Sequence, residues 1–165
     1  MAAKNKTEII AENGKQELFI KREFEAPREL VFKAFTDADL LIQWLGPCNL
    51  TMKIEKHEPW AGGSYRYLHI DPQGNEYGFH GVSHEMLAPE RLIRTFEFEG
   101  LPETGHVVLE TARFESLPGD RTRVVIQSVF QSVADRDGMV QSGMERGVTD
   151  SHNMLDELLA KQLVN

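Results

Sequence analysis

Arg94 and Glu110 are the two charged side chains of this sequence best placed to act together on a ligand. Alternation along 91–99 and 106–116 predicts two strands. On them Arg94 shares a face with Leu92, Phe96 and Phe98, and Glu110 shares one with Val108, Ala112 and Phe114. Charge among such neighbours is costly unless paired, so the two residues should form an ion pair across adjacent strands. Such a pair can simply hold strand register. It can equally be the polar handle of an apolar cavity, since ligand sites combine greasy walls with a few convergent polar groups. A buried Glu110 alone would have a raised pKa and could act as an acid or base; with Arg94 beside it the carboxylate stays ionised, which favours binding over catalysis.

Other chemistry is poorly supplied. None of the six histidines lies in an HExxH or a Cys/His cluster. His80 and His84, four apart on a strand, are separated by about 13 Å, too far to share one ion, so no metal site is expected. Cys48 is the single cysteine and has no recognisable base near it in sequence, which excludes an internal disulfide and suits a reducing compartment. GxSxG, P-loop and strand-linked GxGxxG patterns are absent, and no cofactor is expected.

The elements that would position these residues are legible in pattern. Asn13-Gly14 predicts a hairpin within 7–26. Pro27 suits a first helical position, and Leu30, Val31, Ala34 and Phe35 give a helical stripe. Thr36-Asp37-Ala38-Asp39 breaks it and caps a second short helix carrying Leu40, Leu41, Trp44 and Leu45, stopped by Gly46-Pro47. Strand-like runs follow at about 50–58, 64–70, 77–87, 91–99, 106–116 and 122–131, with short Gly/Pro-rich turns that imply an antiparallel meander. From Asp135 to Leu163 the period becomes helical, predicting one long closing helix and an α+β architecture.

Centring the 71–75 turn between Gln73 and Gly74 places Tyr65, Tyr67, His69, His80, Val82 and His84 on one face of the sheet. Arg66, Leu68, Ile70, Phe79 and Gly81 fall on the other, which is continued by Arg94 and Phe96 and is the more apolar. That second face is assigned to the core. Tyr65, Tyr67 and Val82 on the water side would then be reasonable homodimer contacts. Ser128 follows the inward alternation of the last strand, and Gly143 and Gly147, one turn apart with Met144 between them, thin the long helix and leave space or permit close packing.

A length of 165 residues fits one domain, 1–165. A net charge of −8 with scattered Lys and Arg argues against a nucleic-acid partner. The start MAAKNKTEII lacks the pattern of a secretion signal and no stretch is long and apolar enough to span a membrane, so a cytoplasmic location is expected.

The wording of Ala26-Pro27, Val31-Phe32, Ala34-Phe35-Thr36-Asp37 and Trp44-Leu45-Gly46-Pro47 resembles the signature of START-like domains of the "activator of Hsp90 ATPase homologue 1-like" family, in the SRPBCC (Bet v 1-like) superfamily. Gly62-Gly63, Tyr77-Gly78-Phe79-His80-Gly81, Thr122-Arg123-Val124 and Gly143-Met144-Glu145-Arg146-Gly147 extend it over nearly the whole chain. The resemblance implies a helix-grip fold, a curved antiparallel β-sheet wrapped around a long C-terminal helix with two short helices between the first strands. It implies a cavity between sheet and helix for a small hydrophobic or amphipathic molecule. Candidate ligand contacts are Trp44, Arg66, Phe79, Arg94, Phe96, Glu110, Ser128, Met144, Gly147 and Val148. Alternatives are a cyclase/aromatase-like or other acid/base enzyme using the same cavity, and an accessory protein of an Hsp90-type chaperone or of a stress response. Val148 and Leu45 stand where many relatives carry aromatics, which would enlarge the pocket.

Overall fold

The computed structural model describes residues 5–164. Eight strands form one curved antiparallel sheet: β1 (Glu8–Ile10), β2 (Glu17–Phe24), β3 (Thr51–His57), β4 (Ser64–Ile70), β5 (Glu76–Leu87), β6 (Arg91–Phe98), β7 (Val108–Leu117) and β8 (Arg121–Val129). Their order is β1-β2-β8-β7-β6-β5-β4-β3, so the meander from β3 to β8 is closed by the N-terminal hairpin pairing β2 to β8. Helices α1 (Arg28–Thr36) and α2 (Ala38–Leu41) connect β2 to β3, and α3 (Val133–Gln141) and α4 (Met144–Val164) follow the sheet.

The signature segment folds as its caps dictate, except that α2 ends at Leu41, so Trp44 and Leu45, expected on that helix, lie in the turns that follow it. Asp37 caps α2, its side chain accepting from the Asp39 and Leu40 backbone N–H groups. Trp44 then turns inward, packs on Phe35 with ring centroids 4.7 Å apart, and donates its indole N–H to the Ala34 carbonyl oxygen at 2.9 Å. Pro47 follows Gly46, whose N–H donates to the Ser151 hydroxyl of α4 at 2.8 Å. The main core lies between this segment, the sheet and the C-terminal half of α4, with Phe24, Val31, Phe114, Val124 and Leu155 fully enclosed.

The expected single closing helix is two helices. Ser142-Gly143 breaks it, Gly143 adopting φ +87, the left-handed conformation that ends helices and that glycine reaches without steric cost. Gly143 is therefore the point where one helix ends and the next begins rather than a thinned helix face. α3 buries one side chain, Arg136, whose guanidinium donates to the Glu12 and Glu17 carbonyl oxygens. α4 is held to β2 by a buried polar set. Arg22 bonds Asp156, Asn153 (3.2 Å) and the Thr7 hydroxyl (3.0 Å), which lies 2.8 Å from His152 Nδ1.

The facing of β4 is the reverse of the sequence expectation. The 71–75 connection is an odd loop: Asp71 N–H donates to Asn75 O, Gly74 N–H donates to Asp71 O, and Gly74 has φ +87, a turn plus bulge. Its midpoint is Gln73 rather than the Gln73-Gly74 bond, so Ile70 pairs with Glu76 and Tyr67 with Phe79. That one-residue slip turns Tyr65, Tyr67 and His69 into the core and Arg66 out of it. Tyr65 and Tyr67 are buried within the chain, which removes them as exposed dimer contacts; Val82 stays exposed.

Candidate functional site

The inner face of the sheet carries a continuous run of rings. Tyr65 stacks towards Tyr67, Tyr67 on Phe79 (5.1 Å between centroids) and Phe79 on Phe96 (5.4 Å), with Phe98 also 5.1 Å from Phe79. Two glycines of β5 let neighbouring side chains cross it. At Gly81 a Cβ would collide with the Thr95 carbonyl and the Tyr65 hydroxyl, which donates to that carbonyl oxygen at 2.5 Å. At Gly78, on the outer face, a Cβ would collide with the Glu99 carboxylate that pairs with Arg66.

At one end of the ring ladder lies the expected charge pair. Arg94 and Glu110 are directly opposite on β6 and β7, Nε to Oε1 3.3 Å, with about a fifth of each side chain exposed (22% and 20%). The guanidinium also sits over the Tyr65 ring at 5.4 Å. Burial acts to lower the Arg94 pKa, but Tyr65 and Glu110 beside it outweigh that and raise it, so the residue stays cationic. Burial likewise pushes the Tyr65 and Tyr67 phenols up. Beside Arg94, between Phe35, Met52, Ile54, Tyr65, Tyr67 and Met86, is a pocket of about 20 Å³, room for a water molecule but for nothing larger.

At the other end of the ladder the space is of ligand size. A cleft of about 690 Å³ opens between the sheet and α3, walled by Phe79, Phe96, Phe98, Val108, Phe130, Ala134, Gly138 and Met139 and flanked by Leu101, Pro102 and Val107. Ligand pockets commonly hold roughly 300–1,000 Å³ with mostly apolar walls. The charged residues described in its lining are Glu103, His106 and Asp135. His106 Nδ1 lies 2.9 Å from Asp135 Oδ2 and its Nε2 3.4 Å from Glu103 Oε2, and the bond with Asp135, helped by Glu103, raises the His106 pKa above its ordinary 6.5. Among the described residues no three His, Cys, Asp or Glu side chains converge as a metal-binding set.

The ten residues expected at the site are thus dispersed. Phe79 and Phe96 form the cleft wall. Met144 and Val148 pack against Leu18, Ile20, Val108 and Phe130, the cluster immediately behind it. Ser128 is buried opposite Glu110, in the Arg94 region. Gly147 faces Pro47, a Cβ there lying in ordinary contact at 3.6 Å. Trp44, 2% exposed, is a core residue stapling α1. Arg66 lies on the outer face, bonded to Glu99 and Glu55, and together with His80 it holds the Glu99 carboxyl down at about 2.

His106 and Asp135 were not singled out from the sequence. They are 29 residues apart, and what brings them together is the pairing of β7 with β8: Leu109 lies opposite Val129, so the segment before β7 runs beside the start of α3. A local signal existed: Ser132 caps α3 by accepting from the Asp135 N–H, the spacing of a capping box that begins a helix two residues before the expected start.

A sheet curved over a C-terminal helix, with the open end forming an apolar cleft, defines a helix-grip protein. Residues 25–160 match the family described as Activator of Hsp90 ATPase homolog 1-like protein, and the chain belongs to that family. Solved structures agree in fold. A protein from Rhodobacter sphaeroides superposes with a TM-score of 0.85 at 25% identity, covering 94% of this chain and 99% of its own. One from Arthrobacter aurescens gives 0.84 at 26% identity, covering 93% and 91%. The family protein from Silicibacter pomeroyi gives 0.72 at 21% identity, covering 88% and 99%, a likeness of fold alone. Among curated proteins none matches the sequence. No helix among the described residues is long and apolar enough to cross a membrane.

Proposed function

We propose that this protein binds a small apolar or amphipathic molecule in the cleft between the sheet and α3. The observation that carries the reading is the 690 Å³ space walled by Phe79, Phe96, Phe98, Phe130 and Met139, a concentration of aromatic surface at a groove of ligand size. Arg94 and Glu110 then serve the site at second hand: their ion pair and the Tyr65 ring fix the far end of the ladder against which Phe79 is stacked.

Native mass spectrometry of gently purified protein tests this. A bound small molecule released on denaturation, and lost in Gly138→Phe, is the expected result. Gly138 lines the cleft and a Cβ there meets nothing within 4 Å, so the phenyl ring fills ligand space without displacing the core. Binding unchanged in Gly138→Phe would remove the cleft as the site.

An acid/base reaction in the same cleft is the second reading, and the observation favouring it is the His106–Asp135 hydrogen bond at the opening. The base is then His106 rather than Glu110, which keeps its arginine.

A further inference from the structure

Carboxylates outnumber cations in the described lining of the cleft. Glu103 and Asp135 line it, no Lys or Arg does among the described lining residues, and His106 sits between the two carboxylates. Two carboxylates against one imidazole leave the opening net negative whether His106 is protonated or neutral. The basic residue of α3 itself, Arg136, is turned away and consumed by the Glu12 and Glu17 carbonyls and by Asp137. A further carboxylate, Glu97, supports the same loop by accepting from the Gly105 N–H at 2.9 Å. Asp135 and His106 are each about a quarter to a third exposed (26% and 34%), so they reach both the apolar interior and water.

We propose that the cleft selects an amphipathic ligand with a protonated amine: an aromatic or aliphatic body against Phe79, Phe96, Phe98 and Phe130, and an ammonium head at the mouth, against the Glu103 and Asp135 carboxylates that flank His106. This rests on the cleft being the binding site. An ammonium supplies donors to carboxylates that otherwise share the single His106 ring. A carboxylate head in that place meets two like charges, with no cation other than His106 among the described lining residues to relieve them. Attraction of one head and repulsion of the other therefore separate cationic from anionic ligands by roughly tenfold or more.

The test uses three probes with one body: 2-naphthylmethylammonium, 2-naphthylmethanol and 2-naphthoate, titrated at pH 7.5 and followed by naphthyl fluorescence. Expected is the affinity order ammonium, alcohol, carboxylate, with the ammonium preference reduced several-fold in Glu103→Gln and in Asp135→Asn. Glu103 is 84% exposed on its side chain, so its variant leaves the fold intact even if Asp135→Asn disturbs α3. Equal affinities, or tightest binding of the carboxylate, would overturn the charge selection while leaving the cleft as a binding site. Failure of all three to bind, or binding that Gly138→Phe does not weaken, would overturn the cleft reading and this inference with it.

Discussion

His106 Nδ1 stands 2.9 Å from Asp135 Oδ2, and that contact joins the segment before β7 to the first turn of α3 across the opening of the cleft. Behind it lies most of the apolar surface a ligand could use, and beside it the carboxylates that set the charge of the entrance. The site is therefore defined by a junction of two irregular segments resting on a regular sheet. The half-buried Arg94–Glu110 pair stands at the other end of the aromatic ladder, its guanidinium over the Tyr65 ring.

The junction is proton-linked. Asp135 first, and then Glu103, raise the His106 pKa above 6.5. A group raised on folding stabilises the native state fully below its unfolded pKa, and that stabilisation is lost as pH rises through the folded value. NMR titration of the His106 ring should give a pKa above 6.5, falling back towards it in Asp135→Asn. An unchanged value in that variant would show that the bond does not persist in solution.

His152 behaves in the opposite sense. Burial, aided by the Arg22 charge, depresses it to about 3. Its contribution is present in full above the unfolded pKa near 6.5 and is lost as pH falls towards 3. At pH 5 the loss amounts to roughly 2 kcal/mol. Urea unfolding at pH 7 and pH 5 should show it, and His152→Gln should narrow the difference. Equal pH sensitivity of variant and parent would assign the acid lability to other groups.

Two glycines should respond in opposite directions. Gly81→Ala pushes a methyl into the Thr95 carbonyl and the Tyr65 hydroxyl, backbone and a buried ring that cannot yield cheaply, and should cost more than about 2 kcal/mol. Gly138→Ala meets open space in a helix and should gain up to about 1 kcal/mol. Thermal unfolding of the pair checks the register of β5 against β6; a harmless Gly81→Ala would contradict it.

Trp44→Phe removes the N–H that serves the Ala34 carbonyl and should cost roughly 1–3 kcal/mol in stability. Probe affinity should stay unchanged, because Trp44 is a core residue. Loss of affinity at unchanged stability would return Trp44 to the ligand site, where the sequence alone had put it.

The sequence carried the fold well because its strongest signals were local. Asp37 as a cap, the Gly/Pro-rich turns and the alternation of β6, β7 and β8 each depend on near neighbours, and each formed as expected. The pairing of Arg94 with Glu110 followed from two such alternations. What failed depended on single-residue geometry. Gly74 in a bulged turn shifts β4 by one residue and exchanges Arg66 for Tyr65 and Tyr67, and Gly143 reads equally well as a helix residue or as the end of a helix. The cleft escaped notice because His106 lies in an irregular segment before β7 and meets Asp135 and Met139 only through the β7–β8 register and a helix start that the sequence reading set too late.

The central claim is the location of the binding site, and chemical-shift mapping tests it most directly. On titration with 2-naphthylmethylammonium, the resonances that move should belong to Phe79, Phe96, Phe98, His106, Phe130 and Met139. Movement confined to Tyr65, Arg94, Glu110 and Ser128 would contradict the account and place the ligand at the buried charge pair instead.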